Sequence, residues 1–291
     1  MRWEGNRESD NVEDRRGESG GGGFRLGGIH LGVGGIILVL IGSWLFGINP
    51  MTVFGLLSGG GAQTSDVDTQ TAQAPPANDQ LATFVSTILA STEDVWGAIF
   101  AASGRTYEPP HLDLFTDSIA TGCGGGQAAM GPFYCPEDRR VYIDLGFYRT
   151  LHDQLGSPGD SAQAYVIAHE VGHHVQNLLG LSAKVDALEA RESKVQANAT
   201  SVRVELQADC YAGVWAFHSQ QQKHWFEDND IDLVLNAASH IGDDALQKMA
   251  QGRVMPESFT HGTSEQRVNW FKRGYRTGRV ADCDTFGAAA L

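Results

Sequence analysis

One apolar stretch limits what this chain can be: Ala164-Tyr165-Val166-Ile167-Ala168-His169-Glu170-Val171-Gly172-His173-His174-Val175-Gln176. Its apolar lead-in, the following Leu178 and Leu179 and the stop at Gly180 predict a buried helix rather than a polar loop. Residues i and i+4 lie one turn apart on one helical face. His169 and His173 can therefore offer two imidazole nitrogens to one metal ion, and Glu170 sits beside the first. This H-E-x-x-H spacing suits two nitrogen ligands, an open position for water and a carboxylate base.

A third ligand is required. The H-E-x-x-H-x-x-G-x-x-H extension would need glycine at 176 and histidine at 179, where this chain has Gln176 and Leu179. A second helix offers an alternative in Glu205-Leu206-Gln207-Ala208-Asp209. Glu205 and Asp209 are again i and i+4. Glu205 can ligate the metal, and Asp209 can accept the outer N–H of a ligating histidine, fixing its tautomer. His174 points about 100° away from His173 around the helix and is expected to be packed or hydrogen-bonded instead.

With these residues in hand, the chain resembles the bacterial neutral zinc metallopeptidases, whose motif logic is that of gluzincins with E-x-x-x-D on the third-ligand helix. The blocks that carry the resemblance are Gly131-Pro132-Phe133-Tyr134-Cys135-Pro136, Val141-Tyr142-Ile143-Asp144, residues 164–176, residues 205–215 and His261-Gly262-Thr263-Ser264-Glu265-Gln266-Arg267. The resemblance implies a mostly helical α+β, zincin-like domain with a small β-sheet. It implies Zn2+ on His169, His173 and Glu205, and a peptide or protein substrate. Glu170 would take a proton as water attacks the carbonyl and return it to the leaving amine. His261 is the candidate donor to the developing oxyanion, with Tyr134 and Tyr142 as weaker ones. The strand Val141–Leu145 is the expected edge for an extended substrate. Two other classes stay open: a zinc-containing adaptor outside the cytoplasm, and a hydrolase of a non-peptide amide. The presence of Glu170 speaks against the first.

Upstream, residues 1–25 are polar and carry Arg2, Arg7, Arg15, Arg16 and Arg25 among slightly more acids, which predicts a disordered tail. Residues 26–48 contain no Asp, Glu, Lys or Arg, long enough to cross ~30 Å of hydrocarbon as a transmembrane helix. No basic residue follows until Arg105. The positive-inside rule then predicts a single-pass inner-membrane protein with a cytoplasmic N-terminus and an extracytoplasmic domain. Residues 49–78 read as a flexible tether with Gly59-Gly60-Gly61 and Pro75-Pro76, and residues 79–291 as the zinc-peptidase domain. A net charge of −14 argues against a nucleic-acid partner.

Within the domain, Asp79 is a candidate N-cap for a core helix that includes Phe84, Ile88, Leu89 and Trp96. Residues 112–145 read as half-buried strands, 147–155 as a short helix, 182–218 as one long helix, and Thr263–Arg276 as the last. Four cysteines allow three pairings. Locality and the resemblance favour Cys123–Cys135 and Cys210–Cys283; the first would close a glycine-rich loop, worth ~3 kcal/mol on a chain-entropy estimate.

Overall fold

The computed structural model describes residues 1–17, 73–127, 131–148, 159–288 and 291. A four-stranded sheet runs in the order β1-β2-β6-β5: β1 Val12–Asp14, β2 His111–Phe115, β6 Arg140–Asp144 and β5 Phe133–Cys135. β1, β2 and β6 are mutually parallel and β5 is antiparallel to β6. A small hairpin, β3 Ser118–Thr121 with β4 Gly124–Gln127, stands apart. The helices are α1 Gln80–Ala102, α2 Asp160–Leu178, α3 Leu181–Glu189, α4 Lys194–Lys223, α5 Asp230–His240, α6 Asp243–Gln251 and α7 Ser264–Thr277. Mostly helical with a small sheet, the fold is α+β.

The site is positioned by α2, α4 and α7. In α2, Tyr165, Ile167, Val171 and Val175 are fully buried, so their interval sets the helix deep in the core. Gly172 lets α2 approach α4 closely: a Cβ there would meet the Ala208 carbonyl oxygen at 3.0 Å. α4 and α7 come closer still. A Cβ on Gly213 would lie 2.1 Å from the Phe271 oxygen, and one on Gly274 would lie 2.0 Å from the Cys210 oxygen. Only glycine fits such backbone contact. Disulfides join Cys123 to Cys135 and Cys210 to Cys283, the second tying the chain after α7 to the middle of α4.

Several expectations change. Residues 1–17 are not a disordered tail. Val12, Glu13 and Asp14 pair in parallel with Leu112, Asp113 and Leu114, and Trp3 is 7% exposed. The polar composition misleads because its charges meet domain charges far away in sequence: Arg15 to Asp113 at 3.0 Å and Arg140 to Glu13 at 2.8 Å. Strand β2 is buried on both faces along Leu112–Phe115, not half-buried, as is usual for a central strand of a mostly parallel sheet covered on both faces. Val141–Leu145 is not an edge: β6 lies between β2 and β5. The predicted 182–218 helix is two. α3 ends at Glu189 and α4 restarts after Ser193, whose N–H donates to the Gln196 side chain at 3.0 Å in a capping arrangement.

The Asp79 cap of α1 is present, its carboxylate accepting from Ala82 N at 3.0 Å. The last α-helix is capped at Thr263. The transmembrane reading of 26–48 falls outside the described residues, as do most of the 49–78 tether and much of the 147–155 helix. Among the described residues, no helix is long and apolar enough to cross a membrane.

Candidate metal centre

His169 and His173 project from successive turns of α2, and Glu205 from α4. Their atoms converge. His169 Nε2 lies 3.1 Å from Glu205 Oε2 and 3.2 Å from His173 Nε2, and His173 Nε2 lies 3.4 Å from Glu205 Oε1. The outer nitrogens are both committed. His169 Nδ1 faces Asp209 Oδ1 at 2.9 Å, and His173 Nδ1 faces Gln176 Oε1 at 2.9 Å. A carboxylate and an amide oxygen accept only, so each Nδ1 is the protonated donor. In neutral rings both Nε2 atoms then carry lone pairs. Two such lone pairs and a carboxylate aimed at one point repel one another unless a cation sits between them. A tetrahedral zinc ion with bonds of ~2.0–2.1 Å holds its ligands about 3.3 Å apart, the spacing seen here. The donor set therefore fits Zn2+.

Behind the ligands lies a network that sequence reading only partly found. Asp209 is fully buried at 0% exposure. Its Oδ1 accepts from Tyr165 Oη at 2.5 Å and Arg267 Nη2 at 2.9 Å besides His169, and its Oδ2 accepts from Arg267 Nε at 2.8 Å. Burial alone would push the Asp209 carboxyl up; Arg267 and His169 outweigh it and hold it below its ordinary value. Arg267 lies in α7 and also donates to the Ile241 carbonyl at 3.2 Å. Gln176 is anchored in turn by donating to Val204 O at 2.7 Å and to Gln207 Oε1 at 3.1 Å. Gln207 donates to Cys283 O at 2.9 Å, so the second disulfide steadies the ligand shell.

The buried Glu170 carboxyl is pushed up by burial, against the pull of His169 and His173. Before a metal arrives, burial disfavours a charged His169, yet Asp209 and Glu205 raise it to about 10. The proton on Nε2 and a metal ion are thus alternative occupants of the same lone pair.

His261 is 50% exposed on the turn before α7. Its Nδ1 lies 3.2 Å from Asp243 Oδ1, and Asp243 Oδ2 accepts the backbone N–H groups of Thr260, His261 and Gly262 at 2.7, 2.6 and 3.0 Å. Burial lowers the His261 pKa, but Asp243 and the nearby Glu205 raise it overall. Tyr142 Oη donates to Asp138 at 2.7 Å and its ring stacks on Phe133, so it is spent within the sheet. Tyr134 Oη lies 3.1 Å from His174 Nδ1 and accepts from Asn177 at 2.9 Å. His174 donates through Nε2 to Glu108 O at 2.7 Å, and burial lowers its pKa to about 4. It is not part of the converging set.

Two histidines and a glutamate converge on one point with a buried carboxylate beside them, a donor set that could hold a metal ion. The family model described as "Putative neutral zinc metallopeptidase" matches residues 1–286, and the chain belongs to that family. The match includes the N-terminal arm. Protein YpfJ of Escherichia coli (strain K12) is 52% identical over 289 residues, 99% of each chain. Protein Rv2575 of Mycobacterium tuberculosis (strain ATCC 25618 / H37Rv) is 43% identical over 211 residues, 69% of each. No solved structure matches the chain.

Proposed function

We propose that the protein is a zinc peptidase that hydrolyses peptide bonds with Glu170 as general base. The carrying observation is the convergence of His169 Nε2, His173 Nε2 and Glu205 at 3.1–3.4 Å with both outer nitrogens fixed as donors. Zinc bound there supplies a Lewis acid that acidifies water and polarises a carbonyl. Glu170, adjacent to His169 and buried, accepts the proton of the attacking water. Its raised pKa suits it to hold that proton and pass it to the leaving amine. His261, whose pKa is raised by Asp243 and Glu205 against the effect of burial, is the candidate N–H donor to the oxyanion.

In this zincin-like reading, an extended substrate lies along β5 rather than β6. β5 is the outer strand of the sheet on the α2 side and pairs only with β6 among the described residues. Tyr134 and Asn177 join it to α2 one turn beyond His173. A peptide adding to that edge would pass along the active-site helix.

The test is cleavage of a broad peptide mixture by the zinc-loaded full chain beside Glu170→Gln. Turnover is expected to fall about 10²–10⁴-fold in the variant, with zinc still bound. Zinc binding without cleavage by either protein would sink the peptidase reading and favour an adaptor or a hydrolase of another amide.

A further inference from the structure

The described residues on both sides of the uncharged 26–48 run belong to one folded unit, Met1–Gly17 with Gln73–Leu291. The arm is sewn in along its length. Trp3 Nε1 donates to Asp160 Oδ2 at 2.6 Å, at the first residue of the active-site helix. Ser9 N donates to Ser86 Oγ, and Ser86 Oγ donates back to Ser9 O, both at 2.9 Å in buried surroundings. Arg7 reaches Glu93 and Asp94 at 2.9 and 2.7 Å. Strand β1 fills one side of β2, and Asp14 N donates to Gln73 O at 2.7 Å. The last bond ties the chain just before the intervening segment to the chain just after it.

We infer that Met1–Gly17 and the domain of residues 73–291 lie on the same side of any membrane the chain engages. A single crossing would separate its two flanks by ~30 Å of hydrocarbon, and no β1–β2 ladder forms through that. A second crossing back would need ~20 apolar residues. Residues 49–72 offer only the seven mostly apolar residues Met51–Leu57 before Gly59-Gly60-Gly61, Asp66 and Asp68. The arginines that suggested a cytoplasmic N-terminus have other work. Arg7, Arg15 and Arg16 are paired with Glu93 and Asp94, with Asp113, and with Asp14 and Asp79. The positive-inside rule weighs basic residues of short loops, not side chains neutralised within a folded domain. This inference is independent of the peptidase reading and stands or falls without it.

The experiment places one cysteine at a time in the full chain, Glu4→Cys or Lys184→Cys, both at exposed positions. The native cysteines are all in disulfides. Sealed spheroplasts and inside-out vesicles are treated with a membrane-impermeant maleimide. Both positions should label in the same preparation, to within about twofold, and both should be protected in the other. Labelling of the two positions in opposite preparations would overturn the inference. Trypsin on the unmodified chain gives a second reading free of any folding defect. Cuts after Arg2 and after Lys184 should appear in the same preparation; cuts that segregate would likewise overturn it.

Discussion

Among the described residues, two aspartates are completely buried, Asp113 and Asp209, and both are held by arginine. Asp113, in the centre of the sheet, takes Arg15 at 3.0 Å and Arg140 at 2.5 Å. Asp209, between α2, α4 and α7, takes both ends of the Arg267 fork. They titrate in opposite senses. Burial pushes Asp113 up, and Arg140 and Arg15 do not fully offset it; at Asp209 the balance falls the other way. The chemical difference lies in the remaining partner. Asp113 faces two arginines, one of which, Arg140, also holds Glu13, so the cluster links neighbouring strands. Asp209 faces His169, whose opposite nitrogen points at two further electron donors. A buried ion pair is therefore no sign of chemistry by itself. It becomes one where it fixes a ring whose free nitrogen is left aimed at a shared point.

Removing one arginine from each cluster should separate their roles most clearly. Arg267→Met leaves Asp209 charged, buried and short of both guanidinium bonds. It should cost about 3–5 kcal/mol in unfolding free energy and weaken zinc about 10–100-fold. Arg140→Met leaves Asp113 with Arg15, so a smaller loss of stability and unchanged zinc affinity are expected. Denaturant unfolding and competition with a chromophoric chelator measure both quantities. Equal zinc loss in the two variants would erase the distinction. Asp209→Asn tests the histidine bond. The amide keeps the shape but weakens the bond to His169, and zinc affinity should fall about 10–100-fold while the helix content by circular dichroism stays.

The convergence of His169, His173 and Glu205 was legible because helical spacing is local. His169, Glu170 and His173 are one motif, and Glu205 with Asp209 repeats the same interval. Arg267 closes the His261–Arg267 segment, but nothing in its spacing links it to a residue 58 positions away. Gln176 was seen only as the residue that rules out a third histidine pattern, although it fixes the tautomer of His173. Asp243 behind His261 had no signal at all. The N-terminal arm failed for a related reason. A polar stretch looks unable to bury itself when its partners, Asp113 and Glu93 among them, lie across most of a domain's contacts rather than nearby. The edge strand was missed because β5 is only three residues long, too short for alternation to show.

Gly172→Ala probes how tightly the two helices of the metal centre must meet. The added carbon would sit 3.0 Å from the Ala208 oxygen and 3.3 Å from the Ala208 Cβ, so α2 must shift by a few tenths of an ångström. About 1–3 kcal/mol of stability should be lost. Zinc affinity should fall as well, because Glu205 and the histidines sit on the two helices being pushed apart. The same exchange at Gly125 in the hairpin, which has nothing within 4 Å, should leave zinc affinity unchanged. A drop there of the same size would mean the affinity reports general loosening.

The arm gives the smallest effect and the most specific sign. Glu13 is held below its ordinary 4.5 chiefly by Arg140, and Asp14 below 3.8 chiefly by Arg16. Asp79, despite a cost from burial, is lowered by the Ala82 N–H and Arg16. A carboxyl whose folded pKa is depressed stabilises fully above its unfolded value, and the contribution disappears as pH falls through the folded value. Docking of the arm should therefore be constant down to about pH 4.5 and weaken progressively below it. Each pair is partly exposed, so about 0–1 kcal/mol apiece is expected. Hydrogen exchange of the Val12–Asp14 amides, corrected for intrinsic rates, should lose protection over this acid range. The buried Ser9–Ser86 pair carries no charge, so exchange at Ser9 should lag behind. Protection of β1 that stays flat into strong acid would mean that strand pairing and Trp3, not the carboxylates, hold the arm in place.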